Sequence, residues 1–105
     1  MIRVNQQDNI VTLTLNRPGK RNALSLDIIR ALHTALDDVE KIDDMRVFLL
    51  AGEGRSFCAG MDLCSVIDDP KAMREMLRLL SQAMKRIRLL PVPTIACVQG
   101  AAIGG

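Results

Sequence analysis

Two helix-period segments separate three strand-length apolar runs, and this alternation leaves few folds open. The first run, Ile10-Val11-Thr12-Leu13-Thr14-Leu15, puts Val11, Leu13 and Leu15 on one side with threonine between them. That period reads as a half-buried strand. Residues 2–4 can pair with it through a turn around Gln7-Asp8-Asn9. The second run, Val47-Phe48-Leu49-Leu50-Ala51, and the third, Thr94-Ile95-Ala96-Cys97-Val98, are strand-length and almost wholly apolar. Such runs are expected of strands buried on both faces of a parallel sheet.

Between the first two runs, Ser25 is placed to cap a helix. Its Ile28, Leu32, Ala35, Leu36 and Val39 recur at helical spacing, with Asp37, Asp38, Glu40 and Lys41 opposite. Asp69-Pro70 opens the second helix, aspartate as cap and proline in the first turn. Its expected apolar stripe is Met73, Met76, Leu77, Leu80, Met84 and Ile87. Its polar side carries Lys71, Arg74, Arg78, Lys85, Arg86 and Arg88, opposed only by Glu75, and Pro91 and Pro93 close it. Strand, helix, strand, helix, strand predicts an α/β fold with right-handed crossovers. Its ligand site is expected at the carboxyl ends of the strands.

Small-residue turns follow each run at that end. Asn16-Arg17-Pro18-Gly19 stops the first strand, with Gly19 free to take a positive φ. Ser56-Phe57-Cys58-Ala59-Gly60-Met61-Asp62-Leu63 follows the second, and Gly100-Ala101-Ala102-Ile103-Gly104-Gly105 follows the third. Turns of small residues leave backbone N–H groups open to a ligand. Two of them converging could stabilise negative charge on a carbonyl oxygen.

Composition removes several classes of function. The chain has two phenylalanines, no tryptophan and no tyrosine, so it lacks the rings of a base-stacking module. A net charge of +2 gives no electrostatic case for nucleic acid. His33 is the only histidine, which leaves no ligand set for a metal site. The three cysteines, Cys58, Cys64 and Cys97, form no C-x-x-C pair and read as free thiols in a reducing compartment, hence the cytoplasm. The first residues lack the apolar core of a signal peptide, and no apolar run is long enough to span a bilayer. One α/β domain is expected over residues 1–105, incomplete at its C-terminal end because a strand and Gly-rich turn lack a covering helix.

Three blocks, in order, carry a resemblance. They are Val11-Thr12-Leu13-Thr14-Leu15-Asn16-Arg17-Pro18 with Arg21-Asn22-Ala23-Leu24, then Ser56 to Leu63, then Val98-Gln99-Gly100-Ala101-Ala102-Ile103-Gly104-Gly105. The chain resembles the amino-terminal part of the enoyl-CoA hydratase/isomerase (crotonase) superfamily over essentially its whole length. The resemblance implies part of a ββα spiral. It implies that the Met61 and Gly105 N–H groups form an oxyanion hole for the oxygen of a coenzyme A thioester. It also implies a coenzyme A site lined by Lys20, Arg21, Asn22, Ala23 and Leu24, with Cys58, Ala59, Gly60, Met61, Asp62 and Leu63. Coenzyme A would enter as part of an acyl-CoA substrate, with no separate cofactor. The parent would be a homotrimer or hexamer that hydrates 2-enoyl-CoA in fatty-acid or branched-acyl catabolism. In such hydratases both catalytic glutamates lie beyond the second glycine block, and Glu40, Glu53 and Glu75 do not occupy those positions. The alternative is a non-catalytic thioester-binding or assembly module, or an inactive remnant.

Taken singly, several residues read more plainly. Cys58 suits a small buried filler rather than a nucleophile, and His33 a partly exposed helix position. Asp62 suits a cap on a short helix, and the basic helix face suits solvent or a subunit contact, with coenzyme A phosphates as the alternative.

Overall fold

The computed structural model describes all residues, Met1–Gly105. Strand β1 (Ile2–Gln7) and strand β2 (Ile10–Leu15) form an antiparallel hairpin in which Gln7 faces Ile10. Asp8 takes the tight turn with φ 56°, a left-handed conformation that aspartate tolerates. Helix α1 (Leu26–Glu40) then leads to β3 (Val47–Gly52), parallel to β2, and helix α2 (Pro70–Arg88) leads to β4 (Thr94–Cys97), parallel to β3. The sheet order is β1-β2-β3-β4. No helix is long and apolar enough to cross a membrane.

The caps act where the sequence puts them. The Ser25 hydroxyl accepts the Ile28 N–H, and the Asp69 carboxylate accepts the Ala72 N–H with Pro70 beside it. Lys85, Arg86 and Arg88 in the last turn of α2 complement the negative end of its dipole. Val11, Leu13 and Leu36 pack with Phe48 and Ala83 in one cluster, while Leu15, Ile28, Met76 and Leu80 form a second. Both helices therefore cover the same face of the sheet.

The packing corrects two expectations, because the helices cover one face of the sheet and leave the edge strand β4 bare on both. In β3 only Phe48 is fully buried, and β4 is exposed along its whole length. The opposite face, with Thr12, Leu49 and Ile95 in register, has no element of this chain against it. The buried stripe of α2 is also narrower than its periodicity suggests: Met76, Leu80 and Ala83 are buried, whereas Leu77 and Met84 are 50% and 38% exposed. A single sheet face and one neighbouring helix cannot cover a wider arc.

Arg86 departs from the basic face on which the sequence placed it. Its guanidinium crosses to α1, donating to Asp37 at 2.7 Å, Glu40 at 2.8 Å, the His33 carbonyl at 3.2 Å and His33 Nδ1 at 3.0 Å. The hydrogen bonds to Glu40 and then Asp37 raise its pKa above the ordinary arginine value. His33 Nε2 lies 2.7 Å from the Leu79 carbonyl, which can only accept. The hydrogen therefore sits on Nε2, and Nδ1 accepts from Arg86. Half-buried His33 is thus part of the contact between the two helices.

Candidate functional site

The two glycine-rich turns meet at the carboxyl ends of β3 and β4. Phe57 N–H donates to the Gln99 and Ala101 carbonyls at 2.9 and 3.0 Å, and Ile103 N–H donates to the Cys58 carbonyl at 3.0 Å. Cys58 and Ala102 form a parallel bridge. At Gly60, with φ 94°, the backbones approach so closely that a Cβ would stand 2.7 Å from the Ile103 carbonyl oxygen. The loop after β2 joins from the other side, where Leu24 bridges Met61. Leu24 N–H donates to Gly60, Asp62 N–H to Leu24, and Ala59 N–H to Arg21, at 2.8, 2.9 and 2.9 Å.

From Phe57 to Leu63 these contacts leave one donor over. Gly60 N–H is taken by the Cys58 sulfur at 3.4 Å and Asp62 N–H by Leu24, but Met61 N–H between them has no acceptor in the chain. Gly105 N–H has none either, and Gly105 rests against Leu80 and Leu24. Beside it an apolar cavity of about 50 Å³ is lined by Leu15, Leu24, Leu32, Leu50, Phe57, Cys58, Leu80 and Met84. A separate polar cleft of about 520 Å³ is lined by Pro18, Arg21, Glu53, Gly54, Arg55 and Ser56. Glu53 is paired with Arg3 at 2.7 Å, so Arg21 and Arg55 leave the cleft with unpaired positive charge. No three histidine, cysteine, aspartate or glutamate side chains lie close enough together to hold a metal ion.

The residues proposed for the coenzyme A site occupy different places. Lys20 and Arg21 are exposed, Ala23 is half-buried, and Leu24, Cys58 and Gly60 are buried beneath the turn. Ala59, Met61 and Asp62 are half-buried, and Leu63 is exposed. Asn22 cannot offer its side chain to a ligand, because it is fully buried and its carboxamide is consumed by backbone groups. Asp62 makes no capping hydrogen bond; its carboxylate faces Arg17 at 3.3 Å instead. Gly19 does not take the positive φ. Residues 18–20 wind into a 3-10 turn, and the reversal falls to Arg21 and Asn22, at φ 50° and 59°. The Cys58 thiol donates to the Asn22 carbonyl at 3.4 Å and has no histidine partner, which is a packed, not a nucleophilic, setting.

Arg17 and Gln99 were not singled out from the sequence. Arg17 donates to the Ala23 carbonyl within the first block and ties that block to the second through Asp62. Gln99 ties the third to the loop after β3, donating to the Gly52 and Gly54 carbonyls at 2.6 and 3.0 Å.

The profile of the family described as enoyl-CoA hydratase/isomerase matches residues 10–105, nearly the whole chain. The chain belongs to the enoyl-CoA hydratase/isomerase family. Its relatives in that family have different named activities. The 1,2-epoxyphenylacetyl-CoA isomerase of Escherichia coli is 37% identical over 103 residues, covering 93% of this chain and 39% of the enzyme. The ethylmalonyl-CoA decarboxylase of Xenopus laevis is 30% identical, covering 93% of this chain and 33% of that protein. The crystal structure of an enoyl-CoA hydratase from Bacillus anthracis superposes with a TM-score of 0.86 at 30% identity, covering 94% of this chain and 40% of that one. The crotonase fold is thereby shared, and the chain spans about 40% or less of the length of these relatives.

Proposed function

We propose that this part of the protein binds an acyl-CoA thioester and polarises its carbonyl with the Met61 and Gly105 N–H groups. The observation that carries the reading is the Met61 N–H, left without an acceptor between two tied neighbours on a turn packed against the third block. Two such donors placed before the substrate arrives stabilise a developing enolate without reorganising. The Arg21 and Arg55 side chains would take the phosphates of coenzyme A in the polar cleft. The three named relatives act as hydratase, isomerase and decarboxylase, and the common part of their names is a CoA thioester. Hydration of a 2-enoyl-CoA in acyl-chain catabolism, in a cytoplasmic homotrimer or hexamer, is our reading for the whole protein.

Binding without turnover is the second reading. Glu40, Glu53 and Glu75 are each paired with an arginine, namely Arg86, Arg3 and Arg78, and this pairing favours the second reading.

Calorimetric titration with crotonyl-CoA, free coenzyme A and crotonate tests the binding claim. Thioester binding tighter than free coenzyme A is expected. Equal affinity for the two, or none for either, would remove the polarising role. Loss of the enoyl absorbance on incubation separates hydration from binding alone.

A further inference from the structure

Asn22 is the only fully buried polar residue of the chain, and it belongs to neither glycine turn. Its amide nitrogen donates towards the carbonyls of Glu53 at 2.9 Å, Ser56 at 3.0 Å and Phe57 at 3.1 Å. Its amide oxygen accepts the Arg17 N–H at 2.8 Å. A carboxamide alone among side chains of this size offers two donors and an acceptor from one planar group. Gathering three carbonyls of one loop on one nitrogen forces residues 53–57 to curl around it. That curl sets the direction in which the chain leaves towards Cys58, Gly60 and Met61.

Asn22 grips the turn a second time. Its backbone carbonyl accepts from the Cys58 thiol, and the same sulfur accepts the Gly60 N–H, the peptide before Met61. Gly52 shows how tightly the arrangement is set: a Cβ there would lie 3.0 Å from the Asn22 amide nitrogen and 2.5 Å from the Phe57 carbonyl oxygen. We propose that Asn22 is a positioning residue that aims the Met61 N–H at the thioester oxygen, without touching the ligand. This inference rests on the oxyanion-hole reading above.

Two variants separate positioning from folding. Asn22→Gly keeps the positive φ at no steric cost and removes only the carboxamide. Asn22→Asp keeps the acceptor for Arg17 but sets an acceptor-only carboxylate against three carbonyls. Both are examined in the protein as isolated from its source, with circular dichroism, free coenzyme A affinity, kcat and KM, and the carbonyl carbon-13 shift of bound 1-¹³C-crotonyl-CoA. The expected result is native-like dichroism and unchanged coenzyme A affinity and KM. The downfield carbonyl displacement is lost and kcat falls on the order of 10²-fold, as for a misplacement of about 1 Å. A folded variant that keeps the wild-type displacement would overturn the proposal. So would a loss of coenzyme A affinity in step with polarisation, or failure of both variants to fold, since Asn22 would then serve stability alone. If the wild-type protein shows no displacement, the oxyanion-hole reading itself fails, and the role of Asn22 falls with it.

Discussion

Replacing Gly60 by alanine should separate the two turns that form the candidate site. The new methyl carries two penalties. At φ 94° an L-residue lies outside its allowed wells, which costs about 1–3 kcal/mol. Its Cβ would also stand 2.7 Å from the Ile103 carbonyl oxygen, a backbone atom with no rotamer to change. Relieving that overlap needs a shift of roughly half an ångström between the turns, an overpacking cost of about 1–3 kcal/mol. Gly54 provides the matched control: its φ is 91°, and a methyl there meets only the exposed Pro18 ring at 3.0 Å. Gly19 provides the blank, with nothing within 4 Å and no positive φ. Urea unfolding should therefore rank the variants Gly60→Ala, then Gly54→Ala, then Gly19→Ala. The first should lose about 2–6 kcal/mol, a large share of a typical domain's stability of roughly 5–15 kcal/mol. The last should be neutral or gain up to about 1 kcal/mol from a stiffer unfolded chain. Equal losses for Gly60→Ala and Gly54→Ala would refute the argument, because the fixed Ile103 carbonyl would then cost no more than the exposed Pro18 ring.

Other perturbations follow from the packing and the charges. Phe48→Ala empties the largest fully buried side chain of the core and should cost about 3–5 kcal/mol in the same unfolding assay. Arg86→Met should lower stability by about 1–2 kcal/mol, a modest value because Asp37 and Glu40 remain half in water. The raised Arg86 pKa means that its contribution is fully present below the ordinary arginine value and fades only as pH climbs through the raised one, so a neutral-range pH scan should leave this loss constant. Glu75 behaves in the opposite sense. The Arg78 hydrogen bonds lower its pKa, so its small contribution is present above the ordinary carboxylate value and disappears as pH falls through the lowered one. An NMR titration should show the Glu75 midpoint rising in Arg78→Ala.

The parts of this fold set by local chemistry were legible in the sequence. The alternation in residues 10–15, the Ser25 and Asp69 caps and the apolar stripe of α1 each reappear as expected. Burial was not legible wherever it depended on what lies opposite. The run at Thr94–Cys97 is apolar enough for a core, yet it is exposed on both faces because it is an edge strand that the helices do not reach: Thr94 and Ala96, in register with Phe48 and Leu50, lie on the helix side and are exposed all the same. The same holds within the site. Glycines announced the two turns, since a close approach at Gly60 admits no side chain. Nothing local marked Asn22 as the buried centre of the loop, because its three carbonyl partners lie 31 to 35 residues away. Arg86 misled for a related reason: helical periodicity set it on the basic side, and carboxylates on α1 drew its side chain across.

The most direct test of the account is an amide NMR titration with a CoA thioester, from which the shifts caused by free coenzyme A are subtracted. The account predicts that the Met61 and Gly105 N–H signals move downfield more than any others, as donors to the thioester oxygen. Residual shifts confined to the polar cleft around Arg21 and Arg55, with Met61 and Gly105 unmoved, would contradict it.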